Sequence, residues 1–243
     1  MSAAAYSLLH PGVQKAIFRR GWKEMHHIQV EAINALLGGA GHLLICAQTA
    51  GGKTEAAFLP IISRLAENPR PSVQALYVGP LVALINDQFS RLETLCADVK
   101  VPVHRWHGAA SATEKRKLRD SPGGILLITP ESLESNFINY GVHLRRIYAE
   151  LDFIVIDELH SFLSNVRGVH LRSLLARLSA ATGRKPRIVG LSATLGDPQG
   201  ARTFIAPDAP ETVGIITGTG EQAVKFGIKA YLRGEEVAGD KVR

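Results

Sequence analysis

Residues 47–60 read AQTAGGKTEAAFLP, joining the apolar run HLLICA (residues 42–47) to a helix-forming run that starts at Lys53. Apolar run, glycine turn and helix start in that order predict a strand, a tight loop and a helix. A glycine turn at such a junction presents successive backbone N–H groups, and the helix N-terminus adds partial positive charge. Both favour a phosphate chain. Thr49, Ala50, Gly51 and Gly52 would form the cradle, Lys53 would bring a full positive charge to the terminal phosphates, and the Thr54 hydroxyl would ligate magnesium. The pattern departs from GxxxxGK[ST] at its first position, where Ala47 replaces glycine. An ordinary strand–helix loop is the bland alternative.

Working outward, short Ile-, Val- and Leu-rich runs recur, each followed by an amphipathic stretch. Strands are predicted at 42–47, 73–78, 101–105, 125–129, 153–156 and 187–191, and helices at 53–66, 81–96, 113–119, 131–136 and 169–181. Most strand candidates are apolar on both faces, as in a parallel sheet covered on both sides. The alternation predicts a doubly wound α/β sheet. Residues 1–40 read as an N-terminal helical extension with helices at 13–18 and 29–37. Residues 41–217 form the main domain, and 218–243 a linker with a strand at 223–232.

Composition narrows the class. Of 243 residues 46% are hydrophobic, enough for a sizeable core, yet no run is long enough to span a bilayer. The N-terminus does not read as a signal peptide. Cys46 and Cys96 stand far apart without CxxC spacing, which suits reduced thiols in a cytoplasmic protein. His104 and His107 lack a neighbouring ligand set for a metal. The formal net charge of +6 fits a polyanionic partner and fits plain solubility equally well.

A nucleotide site also needs a carboxylate for the metal and a group to aim water. FIVIDELH (residues 153–160) places Asp157 and Glu158 just past a buried strand, at the sheet edge expected to carry the glycine turn. Asp157 would hold magnesium, directly or through water, and Glu158 would orient or deprotonate the attacking water. A solvated acidic pair capping the next helix is the alternative.

With AQTAGGKT, DELH and LSAT in this order, the chain resembles the first RecA-like lobe of superfamily-two helicases, DExH members of the Lhr-like and Ski2-like kind. The likeness covers nearly the whole chain. It implies a RecA-like P-loop NTPase domain that binds ATP with Mg2+, a DNA or RNA partner, single- or double-stranded, and a second RecA-like lobe in cis or in trans. Gln29 would read the adenine edge, with Phe18 or Trp22 as the stacking aromatic. GPLVALINDQF implies nucleic-acid contacts at Pro80, Leu81 and Gln88, although Val82 stands where the family often has lysine. TPESL implies strand contacts at Thr129, Pro130 and Glu131; Thr129 is also a good helix cap. His160 with Ser192, Ala193 and Thr194 would couple the nucleotide to strand movement. Arg167–Gly168 matches the family's RG, and the Gly123–Gly124 and His107–Gly108 pairs match its loop positions. The charged run 114–120 is either a solvated helix face or a strand contact.

The arginine-bearing QxxGRxGR-like segment of the second lobe is not in this sequence. An arginine finger is worth roughly 10³–10⁵ in rate, so the chain alone is expected to bind ATP weakly and hydrolyse it very slowly. Two rivals remain: a degenerate module that docks on nucleic acid or protein without hydrolysis, and a nucleotide-driven switch without a nucleic-acid role.

Overall fold

A computed structural model describes residues 3–22, 24–48, 52–193 and 196–218. Thr49, Ala50, Gly51, Thr194 and the strand expected at 223–232 lie outside the described residues. Three helices come first: α1 (Ala3–Ser7), α2 (Pro11–Arg19) and α3 (His27–Gly38). Strand β1 (Leu43–Cys46) and helix α4 (Lys53–Glu67) flank the glycine turn. Alternation continues through β2 (Val73–Val78), α5 (Val82–Cys96), β3 (Val103–Trp106), α6 (Ala112–Asp120), β4 (Gly124–Ile128) and α7 (Pro130–Ile147). It ends with β5 (Phe153–Ile156), α8 (Val166–Thr182), β6 (Arg187–Ser192), α9 (Pro198–Ile205) and β7 (Gly214–Thr217).

The seven strands form one sheet in the order β3-β4-β2-β5-β6-β1-β7, and every pairing is parallel. Burial explains the arrangement. Side chains alternate across a strand, so Leu43, Ile45, Ala75, Tyr77 and Val155 join one apolar cluster, and Leu44, Cys46, Leu76, Val78 and Ile156 the other. The first cluster also takes in Ala5, Val13, Ile17, Ile28 and Ile33. The N-terminal helices thus share the core of α4 and the sheet. Among the described residues no helix is long and apolar enough to cross a membrane, and both cysteines are buried and free.

Differences from expectation have local causes. Helix α7 runs well past Asn136 because two helices abut at Tyr140, whose φ of −132° is non-helical. Strand β3 starts later than expected, since Pro102 serves only as an acceptor, its carbonyl taking the Ile125 N–H at 2.9 Å. Strand β7 and helix α9 were unforeseen: one has four residues, the other eight.

One arginine pins an end of this framework. Arg187, opening β6, donates to the carbonyls of Ala35, Leu36, Gly39 and Gly41 at 2.7–3.3 Å. These include the Leu36 carbonyl in the last turn of α3, a position that a helix leaves without an internal partner. The opposite end of α3 carries Gln29.

Candidate functional site

The turn before α4 ends at Gly52, whose φ of +73° suits glycine, and whose Cβ, were there one, would lie 2.7 Å from Gln29 Nε2. Both observations bar a side chain there. Beside it opens a cavity of about 490 Å³, lined among others by Trp22, Gln29, Gly52, Lys53, Thr54, Gln88, Asp157 and Glu158. Lys53 is buried at the first position of α4, and its Nζ donates to the carbonyls of Ala47 at 2.6 Å and Gln48 at 3.1 Å. The ammonium is therefore held by the backbone that directly follows β1. Gln29 is also buried: its Oε1 accepts the His26 N–H at 2.9 Å, closing the N-terminus of α3.

Asp157 follows β5 directly and is buried. Its Oδ1 accepts the Glu158 N–H at 2.9 Å, while its Oδ2 accepts a hydrogen bond from the Tyr77 phenol of β2. Burial, then the Asp157 charge, push the Tyr77 phenol far above its usual range. Glu158 sits in the left-handed region at φ 46°, ψ 48°, a conformation in which a non-glycine residue is strained. Its Oε2 is buried, makes no hydrogen bond and lies 3.4 Å from His160 Nδ1. That same imidazole nitrogen lies 3.2 Å from Ser192 Oγ at the end of β6. Glu158, His160 and Ser192 thus form one chain of contacts, with Ala193 next in sequence.

A second depression, of about 500 Å³, lies past the ends of β2, β3 and β4 and is lined by Pro80, Leu81, Val82, His107, Gly108, Lys115, Thr129, Glu131 and Arg167, among others. Thr129 caps α7: its hydroxyl oxygen accepts the Ser132 N–H at 3.3 Å and donates to Ser132 Oγ at 3.1 Å. Pro130 is buried at the first position of α7. Arg167 grips Glu131 through two parallel hydrogen bonds of 2.6 and 2.9 Å, a charge-assisted fork. The Arg167 fork, before burial is counted, holds the Glu131 carboxyl below its ordinary range. His107 is buried, its Nε2 3.0 Å from Asn86 Oδ1, and burial lowers its pKa. Lys115, from the charged run, lines this groove.

The structure thus brings Gln29, Gly52, Lys53, Thr54, Asp157 and Glu158 to one cavity, and Pro80, Leu81, Thr129 and Glu131 to another. Gln88 falls in the first cavity, away from the groove where Pro80 and Leu81 lie. Helix α5 turns Val82 toward the groove, while Leu84, Asp87, Gln88 and Arg91, on its opposite face, line the other cavity. Of the two candidate aromatics, Trp22 lines the cavity, whereas Phe18 is 79% exposed and does not. Gly168 has a packing reason: a Cβ there would lie 1.7 Å from the Phe162 carbonyl oxygen. Gly124 has another, at φ +60° with Pro102 O 2.1 Å from its would-be Cβ. Tyr77, Glu55, Asp87 and Arg91 escaped the sequence reading. Only Tyr77 left a signal there, a phenol inside an aliphatic strand, which usually finds a hydrogen-bond partner when buried.

Comparison with known proteins agrees with this geometry. The DEAD/DEAH box helicase family matches residues 26–201. The "Lhr helicase/probable uracil glycosylase" of Mycolicibacterium smegmatis is 33% identical over 201 residues, 76% of this chain and 13% of its own length. "ATP-dependent helicase Lhr-Core" of Methanothermobacter thermautotrophicus is 33% identical over 210 residues, 80% of this chain and 24% of its own. The solved structure of Mycobacterium smegmatis helicase Lhr bound to ssDNA and AMP-PNP superposes with a TM-score of 0.78 at 27% identity, covering 88% of this chain and 28% of that one. The chain therefore spans about a quarter or less of the length of these relatives. On the family match and on this fold, the chain belongs to the DEAD/DEAH box helicases.

Proposed function

We propose that the chain is the ATP-binding lobe of an ATP-dependent nucleic-acid helicase or translocase. It holds ATP with magnesium in the first cavity and one DNA or RNA strand, by its phosphates, in the second. The observation that carries this reading is the meeting of Lys53 and Asp157, far apart in sequence, around one cavity. Gln29 presents a carboxamide, able to donate and accept at once, to the adenine edge, and Trp22 offers a face for stacking. Lys53 leaves the turn carbonyls for the β- and γ-phosphates.

The donor set suits magnesium. Among the described residues no cluster of three or more His, Cys, Asp or Glu is placed to hold a metal. Magnesium needs none, since it keeps several waters and takes one or two protein oxygens beside phosphate oxygens. Thr54 and Asp157 supply such oxygens, and the ion would neutralise developing phosphate charge. Glu158, its Oε2 unbonded, accepts a proton from the attacking water. His160 and Ser192 then register the change at the far side of Glu158.

Arg91, the one arginine among the described residues lining the cavity, is bound to Glu55 and lies 3.9 Å from Asp87. The cation that stabilises the transferring phosphate therefore comes from a second lobe, in cis or in trans. Titration of an ATP analogue with and without single strands tests the reading. Lys53→Ala should abolish nucleotide binding, and Glu158→Gln should keep binding and lose hydrolysis. Strand binding without nucleotide binding in the unmodified chain would instead identify a docking module, and nucleotide binding indifferent to strands would identify a switch.

A further inference from the structure

We propose that Tyr77 is a positioning residue for the metal-binding carboxylate, fixing the direction in which Asp157 presents its free lone pairs. The inference rests on the nucleotide reading above and adds to it a residue outside the sequence motifs. Tyr77 is fully buried in β2, its ring tilted against Phe58 at a centroid distance of 6.1 Å. Register places it beside Val155 of β5, two residues before Asp157. From there its phenol donates to Asp157 Oδ2, while the backbone N–H of Glu158 holds Oδ1 at 2.9 Å.

Each carboxylate oxygen thus takes one fixed hydrogen bond and keeps its remaining lone-pair capacity. With both oxygens tied, the carboxylate cannot spin about its Cβ–Cγ bond. What remains for a cation, or for the water it carries, points one way. Outer partners of this kind orient metal ligands, and losing one typically costs about 10–100-fold in metal affinity. A phenol whose only task was to fill the core would need no carboxylate beneath it, and phenylalanine would pack as well.

Tyr77→Phe removes one oxygen and keeps the ring. The test titrates Mg2+ into the full chain with a mant-labelled non-hydrolysable ATP analogue, following mant fluorescence, for wild type, Tyr77→Phe, Asp157→Asn and the double variant. Thermal midpoints are recorded alongside. Expected for Tyr77→Phe is about a tenfold or larger rise in half-saturating Mg2+, with metal-free nucleotide affinity within about twofold. In the double variant the two losses should not add, because Tyr77 acts through Asp157. An unchanged Mg2+ dependence with a lowered thermal midpoint would make Tyr77 purely structural and overturn the inference. Additive losses would overturn it too. If Asp157→Asn responds and Tyr77→Phe does not, the nucleotide reading stands and only this inference falls. If wild type binds no nucleotide, both fall.

Discussion

Glu158 joins two conflicting demands: a backbone turn that favours glycine and, in the proposed function, a carboxylate to take a proton from water. It adopts a left-handed conformation, φ 46° and ψ 48°, lines the cavity, and has its Oε2 buried without a hydrogen bond. Strain of this kind is worth about 1–3 kcal/mol and gathers at functional sites. Glu158→Gly should therefore raise unfolding stability by about 1 kcal/mol while removing hydrolysis. The check is a shift of the urea midpoint to higher concentration with an unchanged slope. A midpoint that falls would show that Glu158 supports the fold. That Lys53, Thr54, Asp157 and Glu158 would meet at one cavity was legible in the sequence, because strand, glycine-rich segment, lysine and threonine are adjacent and each limits the others. Tyr77 was not. Its partner lies two strands' worth of chain away, and nothing in VQALYV says which residue stands opposite.

Among the elements, α3 depends most on a distant residue. Its last helical hydrogen bond runs from the Gly39 N–H to the Ala35 carbonyl, and Arg187 donates to four carbonyls at and just beyond this end. A lysine cannot reproduce that planar fork. Arg187→Lys should destabilise the chain by about 2 kcal/mol. It should also weaken nucleotide binding through Gln29, at the other end of the same helix, as thermal unfolding and analogue titration would show. Equal affinity in a destabilised protein would confine Arg187 to the fold. Element boundaries were readable where caps and periodicity agreed: 73–78 and 153–156 reappear as β2 and β5 without change. Helix α7 was cut short in prediction because Asn139, Tyr140 and Gly141 interrupt its pattern, and the chain continues helically beyond them. Strand β7 has only Ile215, Ile216 and two flanking residues, too few for a period, and owes its pairing to β1.

At the scale of the whole molecule, charge and the groove would together decide how the proposed strand is held. A formal charge of +6 adds a general attraction, and contacts to phosphate make affinity fall steeply with salt. The Arg167 fork is occupied by Glu131, so a phosphate bound there, as proposed for the groove, would have to displace that carboxylate. Glu131→Gln should raise strand affinity several-fold. Lys115→Ala should lower affinity evenly across sequences and reduce the salt slope by about 1. Fluorescence anisotropy with labelled single strands over a salt series measures both; a Glu131→Gln variant that binds more weakly would give that carboxylate a direct part in the grip.

Helix α5, fifteen residues from Val82 to Cys96, spans about 22 Å at 1.5 Å per residue. Its first residue faces one depression, and Leu84, Asp87, Gln88 and Arg91 face the other. The same stiff cylinder is therefore a wall common to both chambers. A tilt imposed by an occupant on one side of it would reach the other side.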